Sequence, residues 1–144
     1  MEEEMTALYG STMDHYPPET ARALSAAFAV EPKTIVATLL AISDGQPVGQ
    51  AGLRPHGTDA DARGVLEIKK VFVHESHRGK GISRALMVEL EDAARELGST
   101  RLVLQTGTLQ HAAIGLYESL GYVATAPYSP FESMANAICY EKRL

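Results

Sequence analysis

The residues with the clearest chemical potential lie between Val71 and Ser83, in the segment VFVHESHRGKGIS. This pattern predicts a strand that runs into a glycine-bearing loop, after which a helix begins. Such a loop lets backbone N–H groups point into one concavity, and the helix N-terminus adds unpaired N–H groups and partial positive charge. Arg78 and Lys80 supply two further cations. The segment therefore predicts an anion site that suits a phosphate or pyrophosphate.

Two common nucleotide-binding patterns do not fit this loop. A Walker loop needs GxxxxGK followed by Ser or Thr, whereas Lys80 is followed by Gly81. A dinucleotide fingerprint needs a third glycine, which is not at the required distance after Gly79 and Gly81. A generic binder of ATP or NAD is therefore disfavoured. We expect no metal site, because His74 and His77 do not have the HExxH spacing and no third ligand is evident.

The elements that would position the loop follow from hydrophobic periodicity. Residues 65–73 alternate as a strand, with Glu67 and Val73 expected on one face. The order of elements after this strand implies a parallel crossover inside a mixed sheet. Periodicity also predicts helices over 83–97 and 110–120 and strands over 101–105, 122–126 and 135–142. Before these come a hairpin over 34–43 and 47–53 and a polar loop over 56–64. Residues 1–28 are expected to form broken helices, with these side chains facing inward: Leu8, Met13, Ala21, Leu24 and Phe28.

Composition indicates one globular domain over 1–144. The chain of 144 residues is 45% hydrophobic and 22% charged, which is enough apolar area for one core. The longest apolar run, near 35–42, is too short to span a bilayer, and the acidic start is not a secretory signal. The single cysteine, Cys139, fits a reducing compartment and a place in the core. With a net charge of −5, we expect a cytoplasmic protein with no nucleic acid or membrane partner.

Two motifs resemble one known family. The run 78–83 (RGKGIS) resembles the [QR]-x-x-G-x-[GA] signature of the GNAT superfamily of N-acetyltransferases, although Ser83 stands where Gly or Ala is usual. The run 113–122 (AIGLYESLGY) is similar to the family's A-I-x-L-Y-E-x-x-G-[FY] segment, and Gln110 stands where Asn is frequent. The resemblance covers 65–142 closely and 34–53 more loosely. The family's first strand is not found ahead of Thr6, so we expect an exposed sheet edge and a homodimer.

The resemblance implies a fold and a cofactor. The fold would be α/β (α+β), a mixed, mostly antiparallel twisted sheet with a parallel splayed strand pair, flanked by helices. Acetyl-CoA would be the co-substrate, and its pantetheine arm would pair with the backbone of Val71, Phe72 and Val73 as an added strand does. One N–H of this strand would polarise the thioester carbonyl. The other cofactor contacts implied are Arg78, Gly79, Lys80, Gly81, Ile82, Ser83, Gln110 and Ala113.

The resemblance also implies catalytic roles in acetyl transfer to a primary amine of a small molecule or peptide. Glu67 would be the general base for the amine, and Tyr117 the general acid for the leaving thiolate. The residues alone also fit plainer interpretations: Glu67 as a strand carboxylate paired with Lys69 or Arg101, and Tyr117 as a core aromatic residue. The competing function is a non-catalytic acyl-CoA-binding sensor, which would need neither residue. We expect a surface position for His111 and an acceptor pocket lined by Tyr128, Phe131 and Glu132.

Overall fold

The computed structural model describes residues 1–10, 13–57 and 64–144. These ranges contain six strands: β1 (Ala37–Ser43), β2 (Gln46–Pro55), β3 (Val65–Val73), β4 (Arg101–Gly107), β5 (Val123–Thr125) and β6 (Ala137–Arg143). They also contain four α-helices: α1 (Glu2–Tyr9), α2 (Pro18–Phe28), α3 (Ile82–Glu96) and α4 (His111–Ser119). Most of the loop predicted over 56–64, and residues 11–12 of the first predicted helical region, lie outside the described residues.

The strands form one mixed sheet in the order β1-β2-β3-β4-β6-β5. Every neighbouring pair is antiparallel except β3 and β4, which are parallel. The predicted α/β fold with a mostly antiparallel sheet and one parallel pair is therefore confirmed. The predicted hairpin is confirmed as well: Asp44 and Gly45, both with positive φ, form the tight turn between β1 and β2.

The sheet has an apolar cluster on each face, as the alternation of strand side chains requires. Consecutive residues of β6 show this, since Tyr140 belongs to the main cluster with α3 and β3, whereas Cys139 packs with Leu24 of α2 and with Phe131. Leu24 is buried as predicted. The predicted inward position of Leu8 is wrong, because its side chain is 45% exposed; α1 instead faces the sheet with Met1, Met5 and Tyr9.

A β-bulge interrupts the alternation of β3. Gly52 of β2 pairs with Lys69, but two residues earlier in β2 Gln50 pairs with Phe72, so β3 holds one extra residue. Lys70 sits at this point with φ of 56°. The prediction that Val73 shares a face with Glu67 is therefore wrong. Beyond the bulge the alternation is inverted, and Val73 joins the main core cluster.

The parallel pair is very short. It joins Val65 to Arg101, Leu66 to Leu102 and Glu67 to Val103, and then ends. Both strands continue, to Val73 and Gly107, without pairing to each other in the described structure. The predicted splayed pair is thus confirmed, and a cleft opens between the two strands immediately beyond Glu67.

The strained backbone at Lys70 gives a first testable prediction. Glycine adopts positive φ without the Cβ clash that other residues meet there. We expect Lys70→Gly to raise the free energy of unfolding by about 1 kcal/mol relative to Lys70→Ala, measured by urea denaturation. The alanine variant is the matched control, because it removes the same side chain and keeps the strain. Equal stability of the two variants would contradict the positive φ at this position.

Candidate active site

The glycine loop before α3 has the conformation that its sequence predicts. Gly79 and Gly81 have φ of 74° and 78°, and α3 begins immediately afterwards at Ile82. A Cβ at either glycine would meet no atom within 4 Å, so the backbone conformation, and not a lack of space, is what favours glycine. The side chain of Lys80 is exposed. The loop therefore presents backbone amides and a cation at the positive end of a 15-residue helix.

Arg78 connects this loop to the end of β3 and to α1. Its Nε donates to the carbonyl oxygen of Val73 at 2.9 Å, and its guanidinium lies 5.7 Å from the ring centre of Phe72. Its Nη2 donates to both carboxylate oxygens of Glu4 at 2.8 Å. Because both side chains of the Arg78–Glu4 pair are nearly half exposed, the pair contributes no more than about 1 kcal/mol.

The cleft between β3 and β4 has a volume of about 120 Å³. Its walls come from both splayed strands, from the start of α4 and from α1. It brings together three predicted site residues: Val71, Gln110 and Tyr117. The other lining residues are Met1, Met5, Phe28, Ile68, Lys69, Lys70, Leu104, Gln105 and Thr106. Ala113 and Ile82 are elsewhere, packed against the main core cluster.

Helix α1 crosses this cleft and is held on both sides. At one end Glu4 bonds to Arg78, as described above. At the other end the backbone N–H of Leu109 donates to the hydroxyl of Tyr9 at 3.0 Å. A Cβ at Gly107 would overlap the Tyr9 ring, so the close approach of the helix requires glycine there. The helix therefore narrows the space between the two strands.

Glu67 lies where the strands begin to separate, and its side chain is almost completely buried, with 3% exposure. Arg54 Nε donates to its Oε2 at 2.7 Å, the Tyr128 hydroxyl donates to its Oε1 at 3.1 Å, and Lys69 Nζ lies 3.6 Å from Oε1. Of the two partners considered from the sequence, Lys69 is present, and Arg101 pairs with Glu141 instead.

Sequence reasoning missed Arg54, the shortest contact of Glu67. A signal for it was available, because Arg54 and Glu67 are direct cross-strand neighbours in the β2–β3 register. An opposite charge at that position is typical of antiparallel pairs. The bulge at Lys70 does not affect this pair, because it shifts only the pairings beyond it, Gln50 with Phe72 and Gly49 with Val73.

Tyr117 reaches the cleft from α4 and is largely buried. Burial raises the pKa of its hydroxyl to about 12, so the group keeps its proton at neutral pH. Its ring packs near those of Tyr122 and Tyr140, at centroid distances of 6.0 and 6.3 Å. Within the described residues, the hydroxyl makes no side-chain hydrogen bond. It is therefore both a packed aromatic residue and a proton-bearing group at the cleft.

The loop before β6 contains the three residues that we expected to line an acceptor pocket: Tyr128, Phe131 and Glu132. Phe131 is 1% exposed and belongs to the core, whereas Glu132 is exposed. Tyr128 contacts the ring of His56 at 4.5 Å and donates to Glu67, so it supports the carboxylate. Burial lowers the pKa of His56, although the Glu67 charge opposes this.

The described residues also bear on metal binding and on membrane insertion. They contain no group of three or more His, Cys, Asp or Glu side chains that could hold a metal ion. Among the helices of the described ranges, none combines the length and apolar character needed to cross a membrane. Cys139 is buried, as the sequence predicted, and burial raises the pKa of its thiol. His111 is exposed at the start of α4.

Comparison with known proteins identifies the family. The model of the Acetyltransferase (GNAT) family matches residues 2–122, so the chain belongs to that family. The N-acetyltransferase family 8 member 2 of Rattus norvegicus is 36% identical over 99 residues, 69% of this chain but only 43% of that protein. The chain thus spans less than half the length of this relative.

Two further relatives match more widely or carry a ligand. The IAA acetyltransferase of Azospirillum brasilense is 31% identical over 131 residues, covering 91% of this chain and 82% of that protein. A candidate acetyltransferase of Salmonella typhimurium, solved with its cofactor acetyl-CoA, is 27% identical with a TM-score of 0.64. That alignment covers 74% of this chain and 64% of the Salmonella chain. The GNAT resemblance drawn from the two sequence motifs is therefore confirmed.

The raised pKa of Tyr117 predicts how stability depends on pH. The unfolded chain loses this proton near its ordinary value of 10.0, and the folded protein only at about 12. The stabilisation present below about pH 10 is therefore lost as the pH rises toward 12. Between about pH 9 and about pH 11.5 we expect wild type to lose roughly 2 kcal/mol more than Tyr117→Phe in urea unfolding. Equal losses in the two proteins would contradict the raised pKa.

Proposed function

We propose that this chain is an N-acetyltransferase that moves the acetyl group of acetyl-CoA to a primary amine of a small molecule or peptide. One observation carries the proposal: the parallel pairing of β3 with β4 ends at Glu67, and beyond it opens a cleft that Val71 and the protonated Tyr117 line. The glycine loop follows the end of β3, at the N-terminus of α3. Membership of the GNAT family supports the same conclusion. The non-catalytic sensor would not need Glu67 or Tyr117 at this cleft, and no feature of the site favours it.

The loop and the strand edge would bind different parts of the cofactor. The pyrophosphate would bind the amides of 78–83, with Arg78 and Lys80 adding positive charge. The pantetheine arm would pair with the free edge of β3 at Val71 and Phe72, because that edge has no partner on the β4 side in the described structure. The carbonyl of Val73 already accepts from Arg78. Entry of the arm requires α1 to shift. This shift would cost little free energy, because the Arg78–Glu4 contact is exposed and weak.

The amine must lose a proton before it attacks, since alkyl amines have pKa values of roughly 10. We assign the role of general base to Glu67, the carboxylate at the closed end of the cleft. Its oxygens already accept from Arg54 and Tyr128, so the proton would reach it through a water molecule. Direct attack on the thioester carbonyl carbon then forms the C–N bond and breaks the C–S bond. Holding the two reactants together supplies much of the acceleration.

Tyr117 would act as the general acid for the leaving sulfur. Its hydroxyl is protonated at neutral pH because burial raises its pKa to about 12, and it lines the same cleft as Val71. It can therefore donate a hydrogen bond to the developing thiolate and return a proton as CoA leaves. Gln110, at the N-terminal end of α4, would contact the same arm.

We also propose that the chain acts as one cytoplasmic domain over residues 1–144 and that it forms a homodimer. The support for dimerisation is β1, the edge strand of the sheet. Its outer side chains Leu40 and Ile42 are 57% and 58% exposed. An apolar strand edge of this kind favours pairing with another strand.

Cofactor binding is the first test of the proposal. Calorimetric titration should show binding of acetyl-CoA and none of ATP or NAD at the same concentrations. Gly81→Ala should weaken acetyl-CoA binding at least about tenfold, because alanine is strained at φ of 78° and distorts the amide cradle. Gly98→Ala is the matched control, with φ of 82° at the other end of α3 and equal free space. Preference for ATP or NAD, or equal effects of the two variants, would contradict this assignment.

Turnover tests the catalytic roles. In a thiol-release assay with a panel of primary amines, Glu67→Gln should lower kcat/KM by roughly 10²–10³. Tyr117→Phe should lower kcat by about 10² and leave acetyl-CoA affinity unchanged. Glu141→Gln is the control, because it makes the same chemical change at a carboxylate paired with Arg101 outside the cleft. Acetyl-CoA binding without turnover of any amine would favour the non-catalytic sensor.

A further inference from the structure

Lys69 has surroundings that suit an amine substrate. It is a β3 residue with 8% exposure, and its Nζ lies 3.6 Å from Oε1 of Glu67. The same nitrogen lies 5.9 Å from the ring centre of Phe28 and 5.7 Å from that of Phe131. A carboxylate together with two aromatic faces is a favourable environment for an alkylammonium group. Lys69 therefore places an amine beside the proposed base, where an external acceptor would also have to come.

The position of Lys69 along β3 puts its amine within reach of a bound thioester. Lys69 and Tyr117 line the same cleft, together with Val71. Lys69 is two residues from Val71, and a regular strand rises about 3.3 Å per residue, so their Cα atoms are at most roughly 7 Å apart. An extended lysine side chain has a similar length. The bulge at Lys70 bends the strand between them, which is how bulges redirect side chains beside active sites.

The protonation state of Lys69 also favours nucleophilic attack. Burial lowers the pKa of its amine, and the charges of Arg54 and Lys70 act in the same direction. The negative charge of Glu67 opposes them. The net direction is downward, so a larger fraction of Lys69 is neutral near pH 7 than for an exposed lysine. A reaction in which this amine is the nucleophile should therefore become faster as the pH rises, up to the pKa of the Lys69 amine in the folded protein.

We propose that Lys69 is a self-acetylation site, which takes the acetyl group of acetyl-CoA bound in its own cleft. The inference rests on the acetyl-CoA binding proposed above. The neutral Nζ attacks the thioester carbonyl carbon, a C–N bond forms and the C–S bond breaks. The sulfur leaves as thiolate and takes a proton from Tyr117. The proton that the nitrogen loses passes through Glu67 and water and restores the tyrosine hydroxyl. The products are Nε-acetyl-Lys69, which is neutral, and CoA with a free thiol.

The test compares two acetyl donors by peptide mass spectrometry. Lys33 is the reference, because its side chain is 81% exposed and lies outside the cleft lining. An N-hydroxysuccinimide ester of acetic acid should label Lys33 first, since it reacts with accessible amines. Acetyl-CoA should reverse that order and label Lys69 at least about tenfold faster than Lys33, because the bound thioester is held near its amine. Excess CoA should suppress the labelling of Lys69 and leave that of Lys33 unchanged.

Two variants separate the cleft reaction from general reactivity. Glu141→Gln, at a carboxylate paired with Arg101 outside the cleft lining, should leave the labelling of Lys69 within about twofold of wild type. Glu67→Gln should slow it at least about tenfold and leave Lys33 unaffected. Acetyl-CoA binding without faster labelling of Lys69 would overturn self-acetylation and leave the proposed function in place. Absence of acetyl-CoA binding in calorimetry would overturn both.

Discussion

The separation of β3 from β4 determines where the cleft and the free strand edge lie. The two parallel strands share only three residue pairs, the last of which is Glu67 with Val103. A parallel strand inside a sheet normally pairs along its whole length, because unpaired buried backbone groups are costly. The bulge at Lys70 turns β3 away just where the pairing ends. This geometry leaves a strand edge available to a ligand and places the glycine loop at its far end.

The side-chain contacts at the two ends of the cleft differ greatly in strength. At the closed end, Glu67 is nearly inaccessible to water and is held by Arg54, Tyr128 and Lys69. Removing one member would leave a buried charge or polar group unpaired, at a cost of several kcal/mol. At the open end, Glu4 and Arg78 form a pair that water screens. The proposed base is therefore held rigidly, whereas the proposed entry of the cofactor would depend on a contact that is easily exchanged.

The sequence predicted much of the fold because it carries strong local signals. The helix at 82–96 follows its hydrophobic spacing, and Gly98 and Gly121 end helices as expected. The inverted alternation of β3 could not be predicted, since a lysine with positive φ has no local signature and only the β2 register shows it. The same limit hid Arg54, whose role depends on a cross-strand neighbour. The place of α1 across the cleft depends on tertiary contacts of Tyr9 and Glu4, which periodicity does not encode.

In the proposed complex, the free edge of β3 receives the arm of acetyl-CoA. Amide hydrogen exchange with and without the cofactor tests it directly. We expect slower exchange on binding at the amides of 71–73 and of 79–83, together with faster exchange in α1 as Glu4 is displaced from Arg78. Protection confined to other strands, or binding with unchanged exchange in β3, would show that the arm does not pair with this edge.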